Sequence, residues 1–375
     1  LSGKTEIGYN WLAKSTVSTI STITPNSTNT YNVAIGYECS LKDVGSQGNV
    51  AIGARCLALQ SISGGNNNVA IGYECIANSI ESQNSVAIGY QCLLGADSDT
   101  DNSSSISKFN TAIGTECMRD TNSVWGNVAI GYRCASKKST DITNTTTGDT
   151  ALGIPTGQTH RNTYNVSIGF EASYKQTTGQ ANVSIGTQSL VFNTAGSSNI
   201  AIGYQALYFN QQNFNVALGH QALYNNTNGT NNNAIGFKSL YQNKSGNDNI
   251  SLGNNALFSI GTEGNYSNKM VILQDSTTSN DNISIGTDTL YYNVNGSNNI
   301  AIGNNALRGI STGETSDNNY FNSNNLYTGK NNIAIGKDSG TEISVASTLT
   351  WENNILIGVE CGKKIKVAVG TTCRE

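Results

Sequence analysis

Charge is scarce in this chain of 375 residues: Asp, Glu, Lys and Arg make up only 12% of it, about half the usual share. The net charge is −4. No basic face is visible, which argues against a general nucleic-acid binder. Proline occurs twice, so collagen and polyproline architectures are excluded. Histidine also occurs twice, as His160 and His220, which leaves little material for imidazole chemistry. No run of about 20 apolar residues exists, so no membrane-spanning helix is expected. The chain opens Leu1-Ser2-Gly3, without an initiator Met or an apolar signal segment, and reads as a fragment or processed product. The nucleophile-elbow, zinc-protease and phosphate-loop motifs are missing as well.

What is present is repetition, which decides the fold before any local propensity does. The segment Asn32-Val33-Ala34-Ile35-Gly36 returns as Asn49–Gly53, Asn68–Gly72 and Asn199-Ile200-Ala201-Ile202-Gly203. Anchored on the glycine, the copies run Gly8, Gly36, Gly53, Gly72, Gly89, Gly114, Gly131, Gly153, Gly169, Gly186, Gly203, Gly219, Gly236, Gly253, Gly286, Gly303, Gly336, Gly358 and Gly370. That makes 19, with the first and last degenerate and a commonest spacing of 17. The 33-residue gap between Gly253 and Gly286 holds Met270-Val271-Ile272-Leu273, read as an eroded coil.

Positions are numbered from each glycine. Val or Ile at −3 and Ile or Leu at −1 share one strand face, because side chains alternate with period two. The small residue at −2 and the glycine share the other. Both faces are apolar and both are expected to be buried. Asn fills −4 in 15 of the 19 copies, suited to a hydrogen-bonded ladder. Leu recurs at +4, as in Leu57, Leu207 and Leu223, and a polar turn such as Asn225–Gly229 follows. Short strands and turns every 16–17 residues imply a parallel β-solenoid; helical repeats need about 33 residues or more. Coils stacked about 4.8 Å apart give a rod of about 90 Å. A coil this thin cannot cover both faces, so the small column at −2 and +3 is expected to pack three chains together. A monomeric solenoid and a filament of another symmetry are the alternatives.

The unit N-[VI]-A-I-G-x-x-[small]-L is similar to the head repeats of YadA-like trimeric autotransporter adhesins. It also resembles the N-x-A-I-G-Y-Q-A-L-Y repeats of phage and algal-virus tail fibres, which Gly203-Tyr204-Gln205-Ala206-Leu207-Tyr208 matches letter for letter. The resemblance covers nearly the whole chain. It implies an all-β, left-handed parallel β-roll of about 17-residue coils, intertwined as a homotrimer, displayed on a cell or virion surface and used for attachment. Adhesin heads have shorter, more uniform coils than these, and no anchor, stalk or chaperone domain is found here.

The chain is read as a single roll over 1–375, with clear coils over 32–361 and insertions near 12–31, 94–109, 136–148, 254–281 and 309–330. Loops on a rigid scaffold carry binding. The last insertion holds Tyr320, Phe321, Asn324 and Tyr327, aromatic and amide side chains suited to stacking on sugars, or else a polar loop packed back on the rod. A second candidate surface is the +1 aromatic column. Cys39, Cys56, Cys75, Cys92, Cys117, Cys134, Cys361 and Cys373 all sit at +3, where most other coils hold Ala or Ser. They read first as small buried apolar residues, with a disulfide ladder or a metal as alternatives, and they suggest a reducing site of folding. That favours a viral fibre over a periplasm-crossing adhesin. Asp97–Asp101 opens like a calcium loop, but Asn102 and Lys108 break the pattern. His160 lies in a loop.

The expectation is therefore a non-catalytic, cofactor-free, metal-free fibre or adhesin segment. Its partners would be its own copies and a host receptor or glycan, with no nucleic acid and no membrane insertion. A structural filament polymerising end to end and a bacterial autotransporter head are the alternatives; a polysaccharide-cleaving β-helix is a third, without the clustered acids it would need.

Overall fold

The computed structural model describes residues 5–6, 32–39, 47–57, 65–77, 81–94, 106–119, 124–136, 164–258, 279–291, 293, 296–308, 329–341, 344–345, 352–363 and 366–367. Every regular element among them is a β-strand. The chain divides into two compact units, Leu1–Gln188 and Ser189–Glu375.

In the first unit, strands Thr5–Glu6, Val33–Tyr37, Val50–Ala54, Val69–Tyr73, Val86–Tyr90, Thr111–Thr115, Val128–Tyr132, Val166–Ile168 and Val183–Ile185 form one parallel ladder in that order. Pairing follows the repeat: Val69 faces Val86 and Gly72 faces Gly89. The second unit continues the pattern within itself through Ile200–Ile202, Val216–Leu218, Asn233–Ile235, Ile250–Leu252, Ile283–Ile285, Ile300–Ile302, Ile333–Ile335 and Ile355–Ile357. Each unit is thus a parallel β-solenoid. The ladder skips the long insertions: Val128–Tyr132 pairs directly with Val166–Ile168, and Ile250–Leu252 directly with Ile283–Ile285. Gly153 and Met270–Leu273 lie outside the described residues. Gly370, anchor of the expected final coil, also lies outside the described residues. Lys366–Val367 pairs with Ser344–Val345, away from the main ladder.

One expectation about the two strand faces is overturned. The small residues at −2 are fully enclosed within their own chain: Ala70, Ala112, Ala201 and Ala217 are all at 0% exposure. Within each unit they meet the +3 and +4 residues of the returning half-coil: Ala70 and Ala112 share a core with Cys75 and Cys117 in the first, and Ala201 and Ala217 with Ala206, Leu207, Ala222 and Leu223 in the second. The small column is thus the interior of each solenoid and is not available to join three chains. The large residues at −3 and −1 point the other way, and Ile250 and Leu252 are each 44% exposed.

The reversal comes from the corners. Residues at +2 and +4 adopt left-handed backbone, Gln205 at φ 53° and Leu207 at φ 50° among them. A leucine in this region is uncommon. Here the turn swings Leu207 inward, where a fully buried leucine contributes about 1.5–3 kcal/mol.

The glycine has two reasons to be there. Gly236 has φ +131°, and a Cβ on it would lie 2.4 Å from the carbonyl oxygen of Gly253 in the next rung. Neighbouring backbones meet at this column.

A line of buried asparagines at −4 runs beside the core. Asn232 donates from its backbone N–H to Asn215 Oδ1 at 3.0 Å and from Nδ2 to Gly246 O at 2.8 Å. Its Oδ1 accepts from the backbone N–H and Nδ2 of Asn249, at 3.1 and 3.0 Å. One side chain thus satisfies buried polar groups of two coils, which burial otherwise penalises. A parallel line at +7 links Asn226 to Asn210 at 2.8 Å and Asn243 to Asn226 at 3.0 Å.

Candidate functional site

The most prominent feature of each unit's surface is the strip formed by −3 and −1. Because −2 faces inward, alternation places both large residues outward on every strand. From Val33 to Ile357 the described strands put Val, Ile or Leu at nearly every such position and no charged residue at any of them; Thr111 and Asn233 are the polar ones. In the second unit Ile200, Leu218, Ile235, Ile250 and Leu252 are 37% exposed or more. Exposed apolar residues standing singly are ordinary, whereas a contiguous uncharged strip marks an association surface.

Two aromatic columns lie elsewhere on the coils. At +1, Tyr73 stacks on Tyr90 at 5.2 Å and 8°, and Tyr132 on Phe170 at 5.4 Å and 16°. His220 occupies the same column, 4.9 Å from Tyr204 and 5.3 Å from Phe237, so it acts as one more stacked ring. At +5, Tyr208, Tyr224, Tyr241, Phe258 and Tyr291 form a near-parallel stack with centroids 4.8–5.2 Å apart. Burial, followed by the neighbouring tyrosines, pushes the Tyr224 hydroxyl up to about 12. Ring faces in both columns are turned toward each other, leaving mainly edges outward. This is poor geometry for sugar stacking and good geometry for holding rungs in register.

Between these columns the +2 residues form a polar ladder. Arg55 bridges Glu38 at 3.0 Å and Glu74 at 3.1 Å, and Gln91 donates to Glu74 at 2.8 Å. Arg133 pairs with Glu116 at 2.7 Å. Its hydrogen bond holds the Glu116 carboxyl below the usual range. Arg133 also lies over the Tyr132 ring, and Lys238 over Phe237 and Tyr241, at 5.2–5.5 Å. Such exposed pairs contribute about 0–1 kcal/mol each and serve register more than stability.

The cysteines are the remaining chemical candidates. All seven described ones are free thiols; Cys56, Cys75, Cys92, Cys117 and Cys134 are buried, Cys39 and Cys361 half-buried. Cys75 Sγ lies 3.2 Å from Gly89 O in the next rung, and Cys92 Sγ 2.9 Å from Gly114 O. The adjacent Cys117 thiol, with burial, pushes the Cys92 thiol up to about 12, and the Cys134 thiol does the same to Cys117. A folded value above the unfolded one means that the stabilisation is complete below about pH 8.5 and lost as pH rises toward the folded value. At pH 8 a thiol reagent such as Ellman's is expected to leave the five buried cysteines unmodified until denaturant is added. Prompt reaction of all five in the native protein would show that the column opens. Among the described residues, no three His, Cys, Asp or Glu side chains converge to hold a metal.

The repeat residues singled out in the sequence fall on the ladder. Asn32 is buried, Ile35 and Ile202 are half-buried on the apolar strip, and Gly36, Gly53, Gly72 and Gly203 hold the positive-φ position. The Asn-x-Ser triplets that open at Asn165 and Asn182, formally glycosylation acceptors, have their asparagines enclosed, at 2% and 1% exposure. Tyr320, Phe321, Asn324, Tyr327, Cys373, His160 and the Asp97–Asp101 loop lie outside the described residues, as does most of each insertion. The 94–109 insertion ends in strand Ile106–Lys108, which pairs with Glu81–Gln83. Sequence reasoning missed the outward strip as a site; its signal was the complete lack of charge at −3 and −1. No helix among the described residues is long and apolar enough to cross a membrane. No protein-family model matches the chain, and no curated protein matches it.

Proposed function

We propose that the chain is a non-catalytic segment of a surface fibre or adhesin: left-handed β-roll coils from three copies assemble into a homotrimer, and the insertions present loops to a host receptor or glycan. The observation that carries this reading is the uncharged Val/Ile/Leu strip, exposed at many positions in the second unit and half-buried along most of the first. Covering a strip of this kind removes apolar surface from water, which is favourable. A second copy offers an equal strip with the same spacing between rungs. Closed symmetry among copies is the usual way for such a surface to be satisfied. The stacked aromatics and the +2 ladder fit a stiff spacer, and the loops supply the binding.

Light scattering tests the assembly. A mass of about 119 kDa, three times the 39.6 kDa chain, is expected. Ile250→Lys should reduce it to the single-chain mass while the β-sheet circular dichroism persists. A wild-type monomer would sink the trimer, and a polydisperse filament would favour an end-to-end polymer. The adhesive half is tested on a glycan array. Binding should be lost when 309–330 is deleted; an intact protein that binds nothing would leave only the structural rod.

A further inference from the structure

In the unit Ser189–Glu375, the −3 residue is Ile or Val on every described strand but one, where it is Asn233. Asn233 pairs in register with Val216 on one side and Ile250 on the other. It is exposed, as is Ile235 beside it at −1. Leu218 and Leu252, the −1 residues of the adjoining rungs, are each 44% exposed. A single amide therefore stands in the middle of an apolar strip, and no hydrogen bond to a described residue engages its side chain.

A repeating strip has a difficulty that a unique surface does not. Rungs recur about every 4.8 Å, so two copies can slide by one rung and still bring apolar side chains together. Contact area alone does not choose among these registers. A carboxamide does, because it carries both donor and acceptor and can pair with its own kind. Slipped by one rung, it meets Val216 or Ile250 of the other copy, loses its water and gains no partner.

We propose that Asn233 is the register-setting residue of this strip, and that its ligand is the Asn233 amide of another copy of the same chain. This rests on the self-association proposed above. A lone polar residue in an apolar seam plays the same part in coiled coils, fixing alignment at some cost in stability. Its off-centre position in the unit also disfavours antiparallel copies, which could pair the amides only by leaving the rungs at the far end uncovered.

The test uses the full chain, refolded as mixtures of two tagged versions. One mixture carries Val216→Cys on both; the other pairs Val216→Cys with Ile250→Cys, two rungs apart. After mild oxidation, disulfide-linked dimers are counted on a non-reducing gel, with the parent chain as blank. The same-level pair should cross-link at least about tenfold more than the offset pair. In the Asn233→Val background, the two yields should come within about twofold, at unchanged assembly mass. Val already occupies this column at Val216, so the variant introduces no new fold requirement. A preserved tenfold preference in Asn233→Val would overturn the proposal. A wild-type chain that is monomeric and gives no cross-link would instead overturn the assembly beneath it. Asn233→Asp gives an independent reading. Copies meeting at this level should dissociate at pH 7, where carboxylates repel, and reassemble near pH 3; assembly unaffected by pH would again overturn it.

Discussion

Replacing Gly236 by alanine is expected to destabilise the second unit by about 3–6 kcal/mol, the sum of a strained backbone and a forced contact. The φ of +131° is one that side-chain-bearing residues rarely adopt. The added Cβ would also stand 2.4 Å from Gly253 O and 2.7 Å from Gly253 C. These are backbone atoms of the next rung, so relief requires the ladder itself to move. Gly358 separates the two contributions. Its φ is +135°, but its Cβ would meet only Cys361 Cβ, at 3.8 Å, among the described residues. Gly358→Ala should therefore cost about 1–3 kcal/mol, the backbone share alone. Urea titration followed by circular dichroism compares them. Equal midpoints for the two variants would mean that close approach of rungs is not what demands glycine.

Asn232→Ala is expected to cost about 2–4 kcal/mol, because the backbone N–H of Asn249 is left buried without a partner. Asn249 Nδ2 retains Ser279 O at 2.8 Å, and Gly246 O retains Asn243 at 3.0 Å, so those groups are weakened and not orphaned. Serine at the same place should recover about half the loss. The first unit already contains that arrangement: Ser85 Oγ accepts the backbone N–H of Asn110 at 3.2 Å. A serine variant no better than alanine in thermal unfolding would show that the amide's second bond, to Gly246 O, carries the ladder.

Much of the architecture was legible in the sequence because a repeat fixes register without reference to tertiary detail. Once Val69-Ala70-Ile71-Gly72 and Val86-Ala87-Ile88-Gly89 are recognised as equivalent, parallel in-register pairing follows. The buried asparagines and the +3 cysteines could be placed for the same reason. What could not be read was which face turns inward. Alternation says that Ala201 opposes Ile200 and Ile202, but both sets are apolar, and both faces were expected to be buried. The decision is made at the corners, by left-handed backbone at residues such as Gln205 and Leu207, for which side-chain type gives no signal. With those corners, the interior beside Leu207 and the asparagines is filled mainly by Ala, Ser and Cys. The large residues are left outside, and the small column expected to join copies is enclosed instead. Of the candidate site, the apolar columns were visible in the sequence and their exposure was not.

The direct pairing of Ile250–Leu252 with Ile283–Ile285, across an intervening stretch about twice the usual length, has a consequence for how such a gene can change. Nearly every described coil presents the same backbone donors, the same amide and the same glycine to the coil on either side. Duplicating or excising one whole coil rejoins surfaces that already fit, and a long excursion between coils leaves the junction untouched. Inheritance can therefore act on length and on loops separately. The tolerated unit of mutation is the coil as a whole, whereas a single-residue insertion within one would put Ile where Ala must sit.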